Sequence, residues 1–216
     1  MFVGHLAVAL GAKKLEPRLP LAALTAAAFG LDILWPVFLL AGLEVVRIDQ
    51  GNTRFTPLDF VSYPWSHSLL MSVVWGTLAA LVAAASLQSK RGALIIGALV
   101  VSHWILDWIT HRPDLPLWPG GPLEGLGLWN SLAATILVEG VLFASGIAIY
   151  LGASHARDAI GRWAFWALVL VTGAAWILGP VTPPPPGVTA LAVTSLVMVA
   201  VFLAWVIWID RHRASA

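Results

Sequence analysis

Residues 92–110 read GALIIGALVVSHWILDWIT. A helix that crosses the roughly 30 Å hydrocarbon core of a bilayer takes about 20 predominantly apolar residues, and this run is close to that length. It nevertheless carries His103 and Asp107 one helical turn apart. A charged residue at the centre of a spanning helix costs about 2.5–3.5 kcal/mol on insertion scales, so such a pair persists where something compensates it.

Five further apolar runs flank this one, at about 20–45, 66–87, 130–152, 162–179 and 188–209. The first twelve residues form another apolar piece. As a helix it would be about 18 Å long, too short to span, and it is expected to enter the membrane partway. Breaks separate the runs: Glu16-Pro17 and Pro20, a tight polar turn at Gln88 to Arg91, a Pro/Gly-rich loop from Pro113 to Gly127, and Pro183 to Pro186 followed by Gly187. These features predict an all-α, polytopic transmembrane bundle with about six spanning helices and a short N-terminal half-helix. It forms a single domain over 1–216, with helices 162–209 in a supporting role.

Composition agrees. Of the 216 residues, 59% are hydrophobic and 11% charged, against about 25% charged in soluble domains. With a mean hydropathy of +0.87, the chain has too little charge to cover a water-facing surface. A net charge of +1 offers no basic field for nucleic acid. The absence of cysteine excludes disulfides and thiolate metal ligands. The basic residues Lys13, Lys14 and Arg18 follow the first apolar piece rather than precede it, which is not the order of a signal peptide.

Lysine and arginine concentrate on the cytoplasmic side of membrane proteins. The loops at 12–19, 88–91 and 153–162 and the C-terminus share one side, with Lys13, Lys14, Arg18, Lys90, Arg91, Arg157, Arg162, Arg211 and Arg213. The opposite side has Arg47, Arg54 and Arg112. The first, basic side is therefore expected to be cytoplasmic, in a membrane of the bacterial inner (plasma) type, with the C-terminus inside. Trp65, Trp118 and Trp129 near the opposite side, and Trp163, Trp205 and Trp208 near the basic side, fit interfacial belts.

The ionisable residues inside apolar runs are His5, Asp32, His67, His103, Asp107 and Glu139, with His111 just past a helix end. His103, Asp107 and His111 stand at i, i+4 and i+8 and share one helix face. The span directions bring all of these residues to the outer half of one bundle. Three or four imidazoles with two or three carboxylates suit Zn, with Mn or Fe as alternatives, better than Mg or Ca. The donors suffice for one ion with outer carboxylates, or for two ions. Asp107 or Glu139 is a candidate general base. Arg112, with His111 nearby, is a candidate contact for an anionic headgroup. Glu44 and Asp49 are expected to be hydrated at a helix end, and His155 and His212 to be solvated.

Gly4-His5, Gly30-Leu31-Asp32, Trp65-Ser66-His67-Ser68 and Ser102-His103-Trp104-Ile105-Leu106-Asp107, followed by Thr110-His111, occur in that order. Over roughly residues 1–140 this resembles the YdjM-like family of membrane-bound metal-dependent hydrolases. The resemblance implies that His5, Asp32, His67, His103 and Asp107 are metal-site positions. Where that family has a Pro-Asp-x-Asp-like stretch, this chain has Gly30-Leu31-Asp32-Ile33, one carboxylate fewer. A more distant similarity to zinc phospholipase C-type enzymes suggests phosphoesters. The expected function is hydrolysis of a lipid or lipid-linked ester or phosphoester at the outer leaflet by a metal-activated water. A metal-ion or proton transporter or channel, and a non-catalytic structural protein, are the alternatives.

Overall fold

The computed structural model describes residues 1–87 and 89–216. Gln88, placed above in a polar turn, lies outside the described residues. The bundle begins with α1 (Phe2–Leu15), then α2 (Leu21–Ala28) and α3 (Gly30–Leu40). A hairpin of β1 (Val45–Ile48) and β2 (Leu58–Ser62) leads into a single turn, α4 (Pro64–His67), and into α5 (Leu69–Leu87) and α6 (Lys90–Thr110). A short hairpin, β3 (Leu115–Pro116) with β4 (Leu123–Glu124), precedes α7 (Leu132–Ala153). The chain closes with β5 (Ser154–Ala156), α8 (Ala159–Leu178), α9 (Val188–His212) and β6 (Arg213–Ser215), which pairs antiparallel with β5.

Five helices, α5 to α9, are long and apolar enough to cross a membrane, and α2 with α3 makes a sixth candidate span bent by 52°. The expected helix count therefore stands, but the stretch 20–45 is not one helix. Phe29 leaves helical geometry at φ −97° and ψ 11°, and α3 contains Pro36, which has no N–H to offer the carbonyl of Asp32. The stretch from 66 is also interrupted. Ser68 is extended, at ψ 151°, and separates the turn that carries His67 from α5. Both irregularities flank side chains of the candidate site. Polar caps start the regular spans: the side chains of Ser89, Ser131 and Asp158 accept from the N–H groups of Gly92, Ala134 and Gly161.

The outer surface differs from that of a soluble protein, while the core is apolar as in one. Large apolar residues face outward, among them Leu81, Val82, Leu170, Val171, Val197 and Met198, as a lipid environment requires. The interior holds the short α1, whose Val3, Leu6, Ala9 and Leu10 are fully buried. It lies against α2 and α7. A Cβ on Gly146 of α7 would sit 2.6 Å from the Ala7 backbone. Only glycine lets the two helices approach this closely. Likewise a Cβ on Gly76 of α5 would meet the Gly97 carbonyl of α6 at 2.8 Å. Together these contacts lock α1 and α6, which carry three of the candidate ligands, into a fixed frame.

Candidate metal centre

His103 is fully buried on α6. Its Nδ1 lies 2.8 Å from the carbonyl oxygen of Ala28, which is free at the end of α2. A carbonyl only accepts, so Nδ1 carries a proton, and in the neutral ring Nε2 presents its lone pair inward. That Nε2 is buried and has no hydrogen-bond partner, although Asp107 Oδ2 lies 3.1 Å away. His5, from α1, stacks on the His103 ring with centroids 3.6 Å apart and planes 4° from parallel. Its Nε2 lies 3.1 Å from Asp107 Oδ1. The backbone nitrogen of Met1 also contacts Asp107 Oδ1.

His67 enters from the other side. Its Nδ1 lies 2.7 Å from Ser66 Oγ, and that hydroxyl donates to Glu44 Oε2 at 2.7 Å. With the single hydroxyl proton committed to Glu44, Ser66 accepts from Nδ1–H of His67. Nε2 is thereby freed to face Asp32 Oδ1 at 3.7 Å and Asp107 Oδ2 at 3.8 Å. Glu44 is only 3% exposed, which corrects its expected hydration. Its Oε1 accepts from the N–H groups of Trp65 and Ser66 at 2.9 and 2.7 Å. Burial pushes the Glu44 carboxyl up, opposed by these hydrogen bonds.

Five residues from four helices, α1, α3, α4 and α6, thus converge. They form two overlapping groups, His5/His103/Asp107 and Asp32/His67/His103, each with donor atoms within 4.8 Å of one another. Three imidazoles and two carboxylates are a nitrogen/oxygen donor set suited to a divalent transition metal. The orphaned Nε2 of His103 fits a cation as its missing partner. Both Nδ1 contacts, to Ala28 and Ser66, are of the kind that orients imidazoles in metal sites.

The other predicted residues lie beside this group rather than within it. Glu139 is fully buried, with Oε1 3.4 Å from Trp129 Nε1 and Oε2 without a partner. His111 has Nδ1 within 3.0 Å of Asp114 Oδ1 and 3.1 Å of the Tyr63 hydroxyl. Tyr63 donates to Asp114 at 2.7 Å. Burial, and then the Asp114 charge, push its phenol well above the ordinary range, so it stays a neutral donor. Arg112 binds Asp59, Asn52 and Asp114. Its guanidinium ties the β1–β2 hairpin to the end of α6, and three of its donors are already engaged. Trp129 is buried against His111 at a ring distance of 4.5 Å, not in an interfacial belt. His212 bonds Asp158 at 2.7 Å.

Two cavities meet at the cluster. One of about 160 Å³ is lined by Asp32, His67, Asp107 and His111 together with apolar residues such as Leu58, Phe60 and Trp129. An apolar groove of about 240 Å³ runs between α3 and α9, past Phe29, Met198 and Phe202. Phe2, Asp32 and Trp35 line both. Nothing in the sequence singles out Glu44, Tyr63 or Trp129 as neighbours of the cluster, and Asp114 is marked only weakly, by standing three residues after His111.

Comparison with family models, curated proteins and solved structures gives no match for this chain. The fold and the cluster together define a membrane-spanning helical protein whose buried His/Asp group could hold a metal ion.

Proposed function

We propose that this chain is a membrane-embedded metal-dependent hydrolase of the YdjM-like kind, acting on a lipid or lipid-linked ester or phosphoester. The observation that carries the proposal is the buried, partnerless Nε2 of His103 facing two carboxylates and two further imidazoles. His5, Asp32, His67, His103 and Asp107 would hold the ion, with zinc the best match to the donors. When bound, such an ion supplies Lewis acidity and a water activated near neutral pH.

The chain's own groups supply the rest. Asp107 has both oxygens turned to imidazoles and serves as a ligand. Asp32, which opens to both cavities, is placed to accept the proton of the attacking water. Glu139 accepts from Trp129 and lies outside both ligand groups, so it is not assigned as the base. His111, oriented by Asp114 and Tyr63, lines the cavity beside the cluster, where a headgroup would sit. The apolar groove at Asp32 offers a route for the attached chain from the lipid side. A transporter is less well supported: Leu6, Leu10, Leu24 and Leu168 are buried apolar residues of the core, and they provide no polar relay towards the basic side.

The test is metal analysis of purified protein alongside hydrolysis of labelled phospholipids in mixed micelles. Wild type should retain metal and release product. His103→Ala and Asp107→Ala should lose both. Unchanged metal content in the two variants would refute the ligand assignment, and metal retention without turnover across ester and phosphoester substrates would refute the hydrolase.

A further inference from the structure

At the opposite end of the bundle from the His/Asp cluster, a cavity of about 310 Å³ is lined by Lys13, Arg18, Arg157 and Arg213, with Asp210 and Tyr150. The four cations come from the end of α1, the loop after it, the loop after β5, and β6, while Tyr150 and Asp210 come from α7 and α9. The β5–β6 pairing draws Arg157 and Arg213 together.

The charge balance of this cavity is unusual for an interior. Among the described residues the only lysine or arginine ion pairs are those of Arg91 and Arg112. None of the four cations here has a carboxylate partner. Two of them are buried, Lys13 at 7% and Arg213 at 8% exposure. The one acid of the cavity, Asp210, spends both oxygens on the N–H groups of Leu21 and Ala22 at the start of α2. Lys13 gives one hydrogen bond, to the Leu19 carbonyl at 2.6 Å, and an ammonium has three to give. Arg213 is locked by Ser154 and Gly161 and lies over the rings of Tyr150 and Phe165. Its charge is positioned but not neutralised. Ordinary interfacial lysines and arginines are hydrated, as Arg18 and Arg157 are at the rim. Four cations against the single Asp210 carboxylate, which makes no ion pair with any of them, leave the cavity with an excess of positive charge, and under-compensated buried charge is costly.

We propose that this cavity binds a phosphate group, carried either by an anionic lipid headgroup or by a soluble phosphate. Lys13 and Arg213 set the floor of positive charge, and Arg18 and Arg157 close over the bound group. Basic pockets between spanning helices suit anionic headgroups, and multiply charged oxyanions suit several converging N–H donors. This site is independent of the metal centre.

The experiment uses the full chain, delipidated in neutral detergent. It is titrated separately with inorganic phosphate and with phosphatidylglycerol in phosphatidylcholine bicelles, and binding is followed by native mass spectrometry and thermal unfolding. Saturable binding with a raised unfolding midpoint is expected for at least one, while phosphatidylcholine alone does nothing. The responding ligand identifies the source of the phosphate. The double variant Arg18→Gln/Arg157→Gln changes only rim residues and should keep the fold. It should raise Kd roughly tenfold to thirtyfold, the loss of two surface cation contacts. Binding of neither ligand, or equal binding by the double variant, would overturn the proposal.

Discussion

His103 illustrates how one side chain acquires a fixed role. Its Nδ1 is spent on Ala28, so in the neutral ring Nε2 is an acceptor, and it faces an Asp107 oxygen at 3.1 Å rather than a donor. His67 is fixed in the same way by the Ser66–Glu44 pair. Outer hydrogen bonds of this type are worth 10–100-fold in metal affinity. Glu44→Gln and Ser66→Ala should therefore weaken zinc binding by about that factor, measured by competition with a fluorescent chelator, although neither residue touches the ion. An unchanged affinity would mean that His67 is not a ligand. The five clustered residues were legible from sequence because acids and imidazoles stand out against apolar runs, and their depths could be inferred from span direction. Glu44 was not legible. It sits in a turn between α3 and β1 and looks hydrated until the chain folds back to cover it. Nothing local marks a partner 22 residues away. Trp129 failed for a related reason, since its boundary position is shared by belt tryptophans and by one buried against His111.

Elements position these residues through close contacts at small side chains. α1 reaches its depth because Gly146 lets it lie against α7. Gly146→Val would force the two backbones apart, and overpacking of this kind costs about 1–3 kcal/mol. The expected result is a lower thermal unfolding midpoint in detergent together with weaker metal retention, because His5 moves with α1. If stability falls while metal affinity is untouched, His5 is dispensable for binding. α2 supplies a contrasting case. Asp210 caps it from α9, and removing such a cap costs about 0.5–2 kcal/mol. Asp210→Ala should lower the unfolding midpoint and leave metal content unchanged, since the cap lies at the end of α2 far from Ala28. The long spans were legible from hydropathy alone. The bend at Phe29, the separate turn at Pro64–His67 and the β1–β2 hairpin were not, because tertiary contacts decide them: Val100 beside Gly30, Glu44 on the first turn of α4, and Arg112 on Asp59.

At the scale of the molecule, the bundle has two unlike ends. One gathers the His/Asp cluster under the two hairpins; the other gathers Lys13, Arg18, Arg157 and Arg213 around the chain's C-terminal strand. The distribution of lysine and arginine, nine against three of the 12 in the chain, predicts that the second end faces the cytoplasm. The proposed hydrolytic site then meets the outer leaflet, and the proposed phosphate site meets the inner one. The chain contains no cysteine, so a single introduced thiol reports its own location without background. Glu124 in β4 and His155 in β5 are both exposed and lie at opposite ends. In intact spheroplasts a membrane-impermeant maleimide should label Glu124→Cys but label His155→Cys only after permeabilisation. The reverse pattern would put the His/Asp cluster at the cytoplasmic face and restrict its substrates to lipids of that leaflet. Labelling of both in intact spheroplasts would mean that the two ends do not lie on opposite sides of one membrane, which is incompatible with an odd number of crossings between β4 and β5 through α7.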